Sequence, residues 1–174
     1  MKSTSILKIT LCYLILSPLL GFAQEKPYKE PNGLNNWYLE LVGAGYLYSI
    51  NYEKILYRSE NIGWVGRVGL GFTPTNVKLF NTITLDKNTF MTPFTTSILL
   101  GSSERKEKIE IGGGFTMFSQ GITKRTVGYT WVLGFRVIEI NKVVFRASYT
   151  PTIASDGKFY NWFGISLGRN FSLK

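Results

Sequence analysis

The chain contains no histidine, and its one cysteine, Cys12, falls in a segment expected to be removed. Without imidazole or thiol, the mature protein has no disulfide and no metal site of the His or Cys kind. The base that lipid-modifying serine enzymes ordinarily use is missing as well, so neither catalysis nor a cofactor is expected. Charge is scarce: Asp, Glu, Lys and Arg make up 18% of the sequence, against about 25% in an average soluble domain. Beyond the first two dozen residues, no run reaches the roughly 20 apolar residues of a spanning helix. Any membrane residence must therefore use strands. Gly112-Gly113-Gly114 is not a phosphate loop, because no Lys-Ser/Thr follows it. No nucleic-acid motif is present, so nucleic acid is not an expected partner.

What is present begins with a secretory leader. Lys2 and Lys8 form a basic start, Ile9 to Phe22 is largely apolar, and Gly21-Phe22-Ala23 supplies the small residues of a cleavage site. Residues 1–23 are expected to be a cleaved signal peptide, since the apolar run is too short for a single-pass anchor. Lipidation at Cys12 is disfavoured because the apolar run continues through Tyr13 to Leu16. Two of the charges behind the formal +9 leave with the leader. The remaining basicity in an exported protein points to anionic lipid or polysaccharide. Residues 24–36, with Pro27, Pro31 and Gly33, read as a flexible lead-in, and residues 37–174 as one domain.

From Trp37 onward apolar residues recur with period two, the pattern of strands with one oily face. Trp37, Leu39 and Leu41 oppose Tyr38 and Glu40. After Gly43-Ala44-Gly45 the phase reverses, as a hairpin or bulge would produce, so that Tyr48, Ile50 and Tyr52 oppose Ser49, Asn51 and Glu53. Further strands carry Ile62, Trp64, Val68, Leu70 and Phe72; then Phe90, Phe94, Ile98 and Leu100, interrupted by Pro93. Next come Ile109, Ile111, Phe115 and Met117; then Val127 to Val137; then Val143 to Tyr149; and last Phe163, Ile165, Leu167, Phe171 and Leu173. Short turns at Arg58, Ser102 and Glu139 alternate with longer connections at Pro74, Ser119 and Pro151. That alternation holds only if Gly43-Ala44-Gly45 is itself a hairpin, which makes eight strands rather than seven.

The second face of these strands decides which way they point. It carries Gly, Ser and Thr with six isolated charges, Glu40, Glu53 and Glu110 against Arg67, Arg136 and Arg146. A soluble exterior would be richer in Lys and Glu. Balanced charges suit a narrow lumen, where paired charges are tolerated and unpaired ones are costly. Trp37, Trp64, Phe72, Trp131 and Tyr149 fit interfacial girdles. The Arg105-Lys106-Glu107-Lys108 cluster reads as a solvated turn. The last strand ends Ser166-x-Gly168-x-x-Phe171-x-Leu173, which resembles the terminal signal by which bacterial outer-membrane barrels are recognised for insertion.

Together these features resemble the small eight-stranded outer-membrane β-barrels, of the OmpA-transmembrane-domain or OmpX type, over Trp37 to Leu173. The resemblance implies a single all-β, antiparallel, up-and-down transmembrane barrel in the bacterial outer membrane, monomeric and inserted by the barrel-assembly machinery. Its lumen would be plugged by the six charges, and its role structural or surface-interacting. A narrow pore and a soluble, lipocalin-like ligand-binding barrel are the alternatives. The outward connections would form a basic rim of Lys78, Lys87, Lys124, Arg125 and Lys158, facing Asp86 and Asp156, suited to lipopolysaccharide phosphates.

Overall fold

The computed structural model describes residues 29–174 except positions 46, 75–77, 80–82, 85–87, 121–123, 156, 158 and 173–174. The expected signal peptide lies outside the described residues. Eight barrel strands follow one another: β1 Asn35–Leu41, β2 Tyr48–Arg58, β3 Ile62–Thr73, β4 Thr89–Leu100, β5 Glu107–Gln120, β6 Lys124–Ile138, β7 Val143–Tyr149 and β8 Phe163–Phe171. Each pairs antiparallel with its sequence neighbour, and β1 pairs with β8 from Asn35↔Phe171 to Leu41↔Ile165. The sheet is thus a closed ring with no lateral edge left to pair. A small separate hairpin, Lys78–Leu79 with Ile83–Thr84, belongs to the connection after β3.

Period two in sequence becomes inside and outside in space. Leu39, Leu70, Leu133, Ile165 and Leu167 stand exposed on the outer wall, while Ser49, Asn51, Thr95, Ser97, Thr116 and Ser166 are buried within it. This is the reverse of a lipocalin, whose apolar face lines a cavity. The ring is an outward-apolar barrel of the membrane kind.

Irregularities are local. Leu56 forms a bulge in β2, where the register against β3 shifts between Ile55 and Tyr57, so that Leu56 and Tyr57 both face outward. Pro93 leaves a lapse in the β3–β4 pairing between Val68↔Phe94 and Gly71↔Met91, with the register unchanged on either side. Pro151 interrupts β7 without shifting it, since Thr152–Ala154 resumes the same ladder against β6. Phe159–Tyr160 likewise continues β8 beyond a break at Asn161 and Trp162.

Three differences from the sequence expectations matter for function. The lead-in does not run free to Asn36: Asn35 and Asn36 already belong to β1, and the backbone of Leu34 accepts from Ile55 N–H. The connection after β5 is only 121–123, because β5 and β6 pair up to Gln120↔Lys124. Lys124 and Arg125 therefore lie in a strand ladder and not in a loop. Finally, Lys106 and Lys108 are buried, which corrects the reading of their cluster as solvated. Both share the inward phase of Glu110, four and two residues on respectively, and that phase was the available signal.

Candidate functional site

The lumen gathers side chains from six strands. β1 supplies Glu40, β2 Glu53, β3 Arg67, β5 Glu110, β6 Arg136 and β7 Arg146, each at an inward position and each at most 5% exposed. Glu110 is the hub. Its Oε1 accepts from Arg67 Nη2 at 2.6 Å, and its Oε2 from Arg136 Nη2 at 2.8 Å and Arg146 Nε at 2.7 Å. Arg136 also donates through both terminal nitrogens to Glu53, at 2.7 and 2.8 Å, in the two-pronged geometry that makes guanidinium–carboxylate pairs strong. Arg146 Nη1 completes the circuit by donating to Glu40 Oε1 at 2.9 Å. Three cations meet three anions, so the buried cluster carries no net charge.

Neutral neighbours finish the arrangement. Asn36 Nδ2 donates to Glu53 Oε1 at 2.8 Å, and Ser49 Oγ to Glu40 Oε2 at 3.2 Å. The buried Tyr38 ring lies 5.4 Å from the Arg67 guanidinium and 6.0 Å from that of Arg146, within cation–π range. Gly168 faces Tyr38 across the β1–β8 ladder. A Cβ there would collide with the Trp37 carbonyl and the Tyr38 side chain, so the glycine makes room for the ring.

Both ends of the lumen are covered. At the end bearing the short turns, Glu30 pairs with Arg58 at 3.3 Å and with Lys108 at 3.2 Å. Arg58 further donates to the carbonyls of Pro31 and Gly33, and Asn170 Nδ2 to that of Gly33. Residues 30–34 are thereby strapped across the opening, above an apolar layer of Ile55, Val65 and Leu99. Lys106 pairs with Glu139 at 3.4 Å. At the opposite end the β1–β2 connection folds inward. Val42 and Gly43 adopt positive φ of 53° and 116°, which tips the loop over the lumen. Ala44 is fully buried there, and its carbonyl accepts from Thr116 Oγ1 of β5 at 3.4 Å. Buried Met91 and Trp162, flanked by Val42, Phe118 and Tyr160, form an apolar lid beside it. Trp162 shares the inward phase of Gly164 and Ser166.

A closed ring of eight antiparallel strands, apolar outside and ion-paired inside, settles the architecture. The fold is that of a small outer-membrane β-barrel. A solved structure agrees with this fold: the backbone of the Yersinia pestis outer membrane protein Ail in a phospholipid bilayer nanodisc superposes with a TM-score of 0.51 at 13% identity, over 80% of this chain and 100% of that one. A crystal structure of Ail, the attachment invasion locus protein of the same organism, aligns with a TM-score of 0.47 at 14% identity, over 83% and 100% of the two chains. No protein-family model matches this sequence, and no curated protein does.

The barrel also places the remaining candidate residues. Ser166 and Gly168 of the terminal signal face inward and Phe171 lies on the outer face, while Leu173 is outside the described residues. Lys78 lies in the Lys78–Leu79 strand, and Lys124 and Arg125 stand opposite Gln120 and Ser119. Lys87 and Lys158, with Asp86 and Asp156, are outside the described residues. Of the expected girdle, Trp37 and Trp64 stand exposed near the turn end. Trp131 is exposed at the level of Pro151 near the loop end, as its N–H donates to that carbonyl.

Proposed function

We propose that the mature chain is an integral protein of the bacterial outer membrane, with a side-chain-plugged lumen and a structural or surface-interaction role. The observation that carries this reading is the neutral circuit centred on Glu110, which through Arg136 reaches Glu53 on the opposite wall of the barrel. Buried charges this closely paired leave no continuous polar path for an ion, and they favour a plug over a general porin. The barrel is a monomer inserted by the assembly machinery that reads its last strand, and it catalyses no reaction. Its loop end faces outward and offers basic residues to lipopolysaccharide phosphates.

Planar-bilayer recording tests the plug. The wild type is expected to show no stable open conductance, and Glu110→Ala or Arg136→Ala to show one. A steady conductance in the wild type would overturn the plug and establish the narrow pore in its place. The reading of the loop end is tested by replacing Lys124 and Arg125, at the start of β6, with Ser and comparing retention on lipopolysaccharide at low and high salt. Unchanged retention, or a wild type indifferent to salt, would remove that partner.

A further inference from the structure

The outer wall carries cations at one place where a lipid-facing barrel has little reason to keep them. Lys54 on β2 and Arg169 on β8 are exposed and point outward near the turn end, and exposed Lys142 follows in the turn before β7. The register makes them neighbours. Arg169 lies opposite Trp37, which lies opposite Tyr52; Lys54 lies opposite Asn35, which lies opposite Phe171. Lys142 adjoins the same rim, because its carbonyl accepts from Asn170 N–H. The Cα atoms of Lys54 and Arg169 are two strands and two residues apart, about 12 Å from the usual sheet spacings. Two long side chains leaning together close that gap.

Among the described residues, nothing on this half of the rim neutralises them. Among the described residues, none of the three cations has an ion-pair partner. The nearby carboxylates are engaged elsewhere: Glu53 and Glu40 with the lumen arginines, Glu139 with Lys106, and Glu30 with Arg58 and Lys108. The exposed acids Glu60, Glu104 and Glu107 belong to the β2–β3 and β4–β5 side. Between the cations sit Trp37, Tyr52 and Phe171, with the Tyr52 hydroxyl donating to Asn35 Oδ1 at 2.6 Å. Beyond the level of Trp37 and Tyr52 the outer wall of β1–β4 sinks into an apolar furrow of about 530 Å³ that runs towards the loop end, lined by Leu39, Leu41, Tyr48, Ile50, Leu70 and Phe72.

Cations at the head of an apolar furrow match one ligand chemistry, a phosphate joined to an acyl chain. We propose that this face binds an anionic glycerophospholipid of the inner leaflet, its phosphate between Lys54 and Arg169 and one acyl chain in the furrow. Trp37 and Tyr52 occupy the interfacial level between headgroup and chain. The proposal rests on the membrane reading above, and vesicle flotation separates the two. A chain that does not insert refutes the membrane reading, whereas an inserted chain without lipid preference refutes only this site.

The test uses the mature chain in phosphatidylcholine vesicles, with trace spin-labelled phosphatidylglycerol or phosphatidylcholine, measuring the motionally restricted fraction. The wild type is expected to prefer phosphatidylglycerol. Lys54→Gln and Arg169→Gln each lower that preference about fivefold, the effect of one cation at a lipid surface. Arg105→Gln, on the other side of the rim, leaves it in place. Heat-modifiable mobility verifies that each variant is folded. Equal association of both lipids in the wild type, or an unchanged preference in the double variant, would overturn the proposal. So would loss of the preference on adding inorganic phosphate at fixed ionic strength, which would assign the site to a free anion.

Discussion

Replacing Glu110 by Gln removes one negative charge from the centre of the lumen while preserving the shape of the side chain. Three guanidiniums lose a charged partner, and they are not left equally provided. Arg136 keeps its two bonds to Glu53, and Arg146 keeps Glu40. Arg67 keeps only Glu53, at 3.8 Å, beyond hydrogen-bonding distance. An uncompensated positive charge then remains in a site with almost no exposure, which typically costs about 3–5 kcal/mol. That is a large share of a stability of about 5–15 kcal/mol. Glu40→Gln is milder, about 1.5–3 kcal/mol, because Arg146 retains Glu110. Equilibrium urea unfolding in lipid vesicles, followed by tryptophan fluorescence and checked for reversibility, measures both. The exposed Glu104→Gln serves as control and is expected to fall within about 0.5 kcal/mol of wild type. The double variant Arg67→Met/Glu110→Gln should lose less than the sum of the single changes, by about 1–3 kcal/mol. A Glu110→Gln cost indistinguishable from that of Glu104→Gln would refute the reasoning.

Three further outcomes are expected. Ala44→Glu places a carboxylate where the inward loop is fully buried; it should unseat the lid and make the 42–47 connection cleavable by added protease, while the wild type resists. Glu30→Gln removes both ion pairs of the strap, and amide exchange at Ile55, whose N–H donates to Leu34, should quicken about tenfold or more, as loss of about 1.4 kcal/mol would give. Leu167→Arg, on the outer wall between Leu39 and Phe145, should destabilise the inserted barrel by about 2–4 kcal/mol, and Leu167→Phe by far less; equal effects in the unfolding assay would contradict a lipid-facing position.

Strand phase carried most of what could be foreseen. A residue of a two-sided strand has only two directions available, so Glu40, Glu53, Arg67, Glu110, Arg136 and Arg146 could be assigned to one compartment without knowing which strands would be neighbours. Their pairing could not be assigned, because it depends on the stagger of the closed ring and not on any local spacing. The strap at residues 30–34 was hidden for a different reason. Its hold on the barrel comes from backbone carbonyls and from Glu30, and Pro and Gly in a polar segment look the same whether the segment is docked or free. The inward loop was equally hidden, since Gly43-Ala44-Gly45 announces a turn but not the direction in which it tips. Lys106 and Lys108 were misread because charge density was weighed above phase.

Electroneutrality among the six lumen charges is a property of neither half of this barrel: β1–β4 hold Glu40, Glu53 and Arg67, and β5–β8 hold Glu110, Arg136 and Arg146. Glu40 and Arg146 are 106 residues apart, Glu53 and Arg136 83, and Arg67 and Glu110 43. The β1–β2 hairpin alone holds two carboxylates facing the same side, and the β6–β7 hairpin two guanidiniums. The β2–β3 and β5–β6 hairpins each hold one ion pair of their own, yet neither half of the molecule satisfies all of its inward charges. Such long-range dependence implies slow, cooperative assembly, in which the last strand to dock supplies both the final ladder and the condition under which every inward charge finds its counterpart.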